Sequence, residues 1–346
     1  MSRLRRHEPV DLHALSSVGA VFAFVIASSG GCGSSNSAAN NAGSGGSGGS
    51  GTGGSGGVSI SLGGSGADAG TSKPGPYKLP AGFTKTESGG YKLGPAFSGN
   101  TPPSLDGGTA TSSGCGTTIL AVVRDLKGNN EAGGHPDFEH FGGSGPTPGL
   151  VQNNLGADKK PVYTGICEAS LAGPCPYGQQ TTSKTTFDQW YRYAANVNKP
   201  YVVYLSLQPN GNVLTFQSDL FFPLDGAGFG NSGTGTDGKQ HNFGFTTEVH
   251  TQFKYQGGEH FTFIGDDDVW VFVNKKLAVD LGGLHPSSTG SVDLDNKAGA
   301  LGITPGNIYQ LDLFHAERHT SASHFRIDTN LQFTNCGTIV PEPPPA

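Results

Sequence analysis

From residue 201 onward, short apolar runs alternate with Gly, Asn, Asp and Pro: YVVYLSL, VLTFQSDLFF, HNFGFTTEVHTQFKY, HFTFI, VWVFV, KLAVDL, IYQLDLFHA and HFRIDTNLQF. Runs of this length, rich in β-branched and aromatic residues and bounded by turn formers, predict strands. An earlier run, TTILAVVRDLK, begins at Thr117 and stops at Gly128-Asn129-Asn130. One window has helical spacing. In residues 185–195, Phe187, Trp190, Tyr191 and Ala194 fall at i, i+3, i+4 and i+7, and Asn198 and Pro200 end the pattern. Helices are too few for βαβ crossovers, so the expected fold is all-β: an antiparallel sandwich or barrel with at most one or two short helices.

The segment GDDDVWVFVNKKLAVDLGG carries the sharpest contrast in the chain. Along VWVFV, Val269, Val271 and Val273 share one face, and Trp270 and Phe272 share the other. Neither face is polar, which predicts a central strand covered on both sides. Asn274-Lys275 should then turn the chain back into KLAVDL, with a positive φ at Lys275 if the turn is type I′. Just before this strand stand three adjacent acids, Asp266, Asp267 and Asp268. Adjacent carboxylates repel unless water or a cation separates them.

Composition divides the chain. Residues 33–75 are almost entirely Gly, Ser, Ala, Thr and Asn and cannot bury enough surface to offset their entropy, which reads as a flexible tether. Residues 1–31 place Arg3, Arg5 and Arg6 before an apolar run and small residues, the layout of an export signal, and Cys32 follows as the lipid-modified cysteine of a bacterial lipoprotein does. Ordinary secretion or an uncleaved anchor are the other readings of this segment. The expected organisation is a signal at 1–31, a tether at 32–114, a β domain at 115–337 and a Pro-rich tail at 338–346. The chain would be exported and membrane-anchored at the cell surface or outer membrane. In an oxidising compartment Cys167 should pair with Cys175 across a short Gly/Pro loop, leaving Cys115 for Cys336. A net charge of −6 and a pI near 6.0 argue against nucleic acid.

Three readings compete for the acids: a solvated turn, a Ca²⁺ site and a hydrolytic acid/base pair. Asp280, Asp293, Asp295, Asn296 and Asn307 add hard oxygen donors nearby, although the EF-hand pattern is missing. His315, Glu317, His319 and His324 fall in one stretch, HAERHTSASH, whose Ser and Thr residues speak against the helix that an H-x-x-x-H metal pair requires. No nucleophile elbow, Cys/His arrangement or phosphate loop is present, so no enzymatic activity is expected.

FFPLDGAGFG from Phe221, HNFGF…DLGGLH from His241 to His285, and LDLFHAERHTSASHF from Leu311 resemble the fibro-slime domain, a branch related to the PA14 β-barrel; VVRDLKG, GGHPDFE, GLV and FDQWY extend the likeness upstream. Related PA14 domains of adhesins bind carbohydrate, often through Ca²⁺ held by two consecutive aspartates joined by a cis peptide. The resemblance therefore implies Asp266 and Asp267 as metal ligands, with Asp268 leading into the strand; the residues themselves, not the resemblance, offer Asp268, Asp280, His285, Asp295, Asn296 and His319 as ligand-loop candidates. It implies an extracellular polysaccharide or surface matrix as partner; a binding module also needs aromatic platforms, for which Trp270, Tyr255 and Phe229 are available if exposed, although Trp270 reads as core. A structural, protein-contacting role and a glycan hydrolase are the alternatives.

Overall fold

A computed structural model describes residues 84–85, 91–96, 117–170, 175–335 and 337–340. Among them run sixteen strands and two helices: β1 (Thr84–Lys85), β2 (Tyr91–Ala96), β3 (Thr118–Leu126), α1 (Lys184–Tyr191), β4 (Asn198–Ser206), β5 (Gln208–Asn210), β6 (Val213–Ser218), β7 (Gly233–Thr234), β8 (Gln240–His241), β9 (Phe245–Lys254), β10 (His260–Gly265), β11 (Asp268–Val273), β12 (Lys276–Leu281), β13 (Ser288–Asp293), α2 (Leu294–Leu301), β14 (Ile308–Glu317), β15 (Phe325–Thr329) and β16 (Gln332–Asn335). The larger sheet has the order β1-β2-β4-β3-β9-β14-β11-β12, with β16 also on β9. The smaller is β13-β10-β15-β6-β5, and β7 and β8 form a ribbon. Every pairing between these strands is antiparallel, so the expected all-β fold holds. The sheet reaches upstream of Cys115, because β2 pairs with β4 in a stretch expected to be tether.

The apolar pattern of β11 explains how the layers stack. Val269, Val271 and Val273 pack between the two sheets with Phe261, Phe263, Phe325 and Ile327. Trp270 and Phe272 face the other way, against Phe187, Trp190 and Tyr191 of α1 and Phe138, Leu150 and Tyr163 of the loops between β3 and α1. The strand is therefore covered twice, by the second sheet and by a helix-and-loop layer. Asn274 and Lys275 have φ of 51° and 66°, the positive pair a type I′ turn needs.

Helix α1 forms where the spacing predicts it but ends at Tyr191, short of Ala195. Its N-terminus is fixed by Ser183, whose side chain accepts from Thr186 N while the Thr186 hydroxyl accepts from Ser183 N. Ser183→Ala should cost about 1 kcal/mol, measurable by denaturant titration. The cover layer is closed by the Cys167–Cys175 disulfide, as expected. Replacing both cysteines with serine should lower stability by about 2–3 kcal/mol, given so short a loop. Cys32, Cys115 and Cys336 lie outside the described residues.

A second anchor for the cover is electrostatic. On the outer face of the large sheet, Glu248 accepts from Arg124 Nη1 (2.6 Å) and pairs with Lys160, and His250 lies between Glu248 and Asp312 Oδ1 (2.6 Å). Burial opposes charge here, but Lys160 and Arg124 outweigh it and hold Glu248 well below the usual carboxylate range. Burial likewise opposes the imidazolium, and Glu248 and Asp312 outweigh it, raising His250 above 6.5. The raised His250 stabilises fully below its unfolded value and loses that contribution as pH rises through its folded one, whereas Glu248 loses its contribution only in acid. The melting temperature of the wild type should therefore fall on the alkaline side, and His250→Gln should flatten that limb.

Candidate functional site

Strand β10 belongs to the small sheet and β11 to the large one, so Asp266 and Asp267 form the step between sheets. Two further connections make the same crossing at the same end of the sandwich: residues 282–287 from β12 to β13, and residues 318–324 from β14 to β15. Register places them side by side, with Gly265 opposite both Ser288 and Phe325, and Asp268 opposite Ala316.

The three acids tie these crossings together, and each does so differently. Asp266 accepts from His324 N (2.6 Å) and meets His324 Nδ1 (2.9 Å), while His315 Nε2 lies 2.9 Å from its carbonyl. Burial lowers His315 to about 4, so it stays neutral. Asp267 accepts from His285 N (3.3 Å) and Arg318 N (3.1 Å), and its peptide bond to Asp266 is cis. Asp268 is fully buried: it accepts from Gly283 N (2.6 Å) and from Arg318 Nε (2.6 Å). Arg318 also donates to Gln180 O and Asp137 O, and its guanidinium lies 4.6 Å from the Trp190 ring centroid. Asp268 thus faces the cover layer, as its place on the Trp270 side of β11 requires.

A cavity of about 240 Å³ opens where the crossings meet, lined by Asp266, Asp267, Glu317, His285, His319 and the Gly142-Gly143 backbone among others. Glu317 follows Leu311, Leu313 and His315 on the inward face of β14, and it is 1% exposed. One of its oxygens, Oε1, accepts from His319 N (3.4 Å); the other, Oε2, has no hydrogen-bond partner. Burial and the nearby Asp267 and Asp266 raise Glu317 well above the usual range. Burial also raises Asp267 to about 7, against the pull of Arg318. Gly143 admits no side chain, because a Cβ there would sit 1.9 Å from Leu284 O.

Of the expected ligand-loop residues, only His285 and His319 line this cavity with Asp266 and Asp267. Asp280 instead accepts from Gly149 N and Trp270 Nε1. Asp295 and Asn296 lie on helix α2 and not in a loop; Asp293 caps it, and Asp295 accepts from Tyr255 OH and Gly258 N. Nor do the expected platforms serve. Trp270 and Tyr255 are buried, and Phe229 lies under Lys199 and Lys127, 4.0 and 5.3 Å from its centroid. Glu317 was missed as a site residue, although an acid in line with the inward-facing Leu311, Leu313 and His315 of β14 was a signal in the sequence.

The donor set is chemically that of a hard cation: three carboxylates around one cavity, one with a free buried oxygen. Among the described residues, no group of three or more His, Cys, Asp or Glu side chains already has metal-holding geometry.

Residues 223–345 match the PA14 domain model. Among curated proteins of Dictyostelium discoideum, psiR is 38% identical over 61% of this chain, psiQ 39% over 57% and psiH 41% over 57%. The chain spans only 21%, 20% and 29% of those relatives' own lengths. A solved PA14 sugar-binding domain from an RTX adhesin aligns with 62% of the chain and 91% of that domain at 11% identity. Its TM-score is 0.24, too low to carry an argument. The psi proteins overturn the expectation of a bacterial lipoprotein, because they belong to a eukaryote and the reading of Cys32 rested on a bacterial export pattern. Among the described residues, no helix is long and apolar enough to cross a membrane.

Proposed function

We propose that the acidic cavity is a Ca²⁺-dependent carbohydrate-binding site on an exported, non-catalytic module. The observation that carries this reading is the convergence of Asp266, Asp267 and the unpartnered Glu317 Oε2 on one open cavity. Burial, and then mutual repulsion, raise Asp267 and Glu317, and a divalent cation would offset both. Ca²⁺ takes six to eight oxygens in flexible geometry, so adjacent sugar hydroxyls suit the positions the protein leaves open. The PA14 match over residues 223–345 supports the ligand class, since PA14 domains include carbohydrate-binding modules. Export accords with the disulfide, the state expected in an oxidising compartment.

Binding of the protein to a panel of immobilised neutral glycans, with Ca²⁺ and after chelation, tests the proposal. Retention that disappears on chelation is expected. Equal retention in both conditions removes the metal, no retention favours a protein-contacting role, and release of reducing sugar would make the site an enzyme.

A further inference from the structure

Beyond the cavity, the wall that begins with Gly142 and Gly143 continues to a second feature. A Cβ on Gly145 would lie 2.6 Å from Tyr177 Cζ and 2.7 Å from its hydroxyl, so the tyrosine ring rests on the glycine backbone. Gly145 is two residues from the cavity-lining Gly143, a separation of at most about 7 Å. The ring is nevertheless 41% exposed, whereas Trp190 and Phe138 are fully buried and Phe141, beside Gly142, is half-buried and stacked on His140.

The placement of Tyr177 is fixed from both sides. It follows Cys175 of the disulfide by two residues, and its carbonyl accepts from Gln180 Nε2. The same Gln180 accepts, through Oε1, from the N–H of Leu284, which lines the cavity, and its carbonyl accepts from Arg318. An exposed aromatic thus stands beside a cavity-lining loop, its backbone tied by a disulfide and a buried glutamine and its ring against a bare glycine backbone.

We propose that Tyr177 is an extension subsite, stacking on the sugar residue next to the one bound at the acidic cavity of a neutral oligosaccharide. This rests on the carbohydrate reading above. The amphipathic pyranose face suits a ring that is rigid, partly apolar and edged by a hydroxyl. No lysine or arginine side chain is among the cavity residues, and its carboxylates disfavour uronate or sulfate groups, which selects neutral chains.

The test compares wild type, Tyr177→Ala and Tyr177→Trp by calorimetry against mannose, galactose and glucose and their linear tri- and tetrasaccharides, with Ca²⁺ present. Melting temperature confirms that each variant folds. Tyr177→Ala should weaken oligosaccharide binding by up to about tenfold while leaving monosaccharide and Ca²⁺ affinity unchanged, and Tyr177→Trp should retain oligosaccharide binding. Oligosaccharide affinity unchanged in a folded Tyr177→Ala protein overturns the subsite and leaves the cavity reading standing. A wild type that binds no saccharide in the series overturns both.

Discussion

Asp268→Ala is expected to destabilise the protein by about 3–5 kcal/mol, the largest effect of any single substitution at this end of the sandwich. Both partners of the Asp268–Arg318 pair are completely buried, so the change strands a guanidinium that water cannot reach. It also leaves Gly283 N without its acceptor and loosens the crossing from β12 to β13. Asp268→Asn keeps an acceptor and should cost less. Denaturant unfolding of the two variants checks the order, and equal costs would mean that the retained acceptor contributes little and the lost charge accounts for the whole effect.

Asp267→Asn should leave the metal-free protein unweakened and remove stability only when metal is present. Because burial already pushes Asp267 up to about 7, removing its charge should leave the metal-free protein at least as stable near neutral pH. The wild type, at Ca²⁺ about a hundredfold above its dissociation constant, should gain roughly 2.7 kcal/mol, a rise of about 5–10 °C in melting temperature. That rise should vanish in Asp267→Asn. A Ca²⁺-dependent rise that survives the substitution would place the ion elsewhere.

The contrast between neighbouring aspartates shows what a sequence reveals at such a site. DDD could be read as a charge cluster feeding a doubly covered strand, because the alternation of Val with Trp and Phe in VWVFV reports both layers directly. The turn at Asn274-Lys275, the helix carrying Trp190 and the Cys167–Cys175 bridge were legible for the same reason: each is set by residues close in sequence. The division of labour among the acids was not. It depends on Arg318, fifty residues beyond Asp268 and brought to it by the β11–β14 pairing. Helix α2 was missed because LDNKAGAL is short, contains Gly299 and has little apolar pattern; its start is set by the Asp293 cap and its end by Gly302 at φ 69°. The cavity itself forms only because three sheet-crossing connections end together, a fact of topology that no local pattern records.

The most direct test of the Ca²⁺ site is a crystal structure grown in Ca²⁺. The account predicts one ion in the cavity, bonded to Asp266, Asp267 and Glu317 oxygens at about 2.3–2.6 Å, with Glu317 Oε2 no longer unpartnered. A cavity holding only water at saturating Ca²⁺, with Glu317 protonated and bonded to a neighbouring carboxylate, would contradict it.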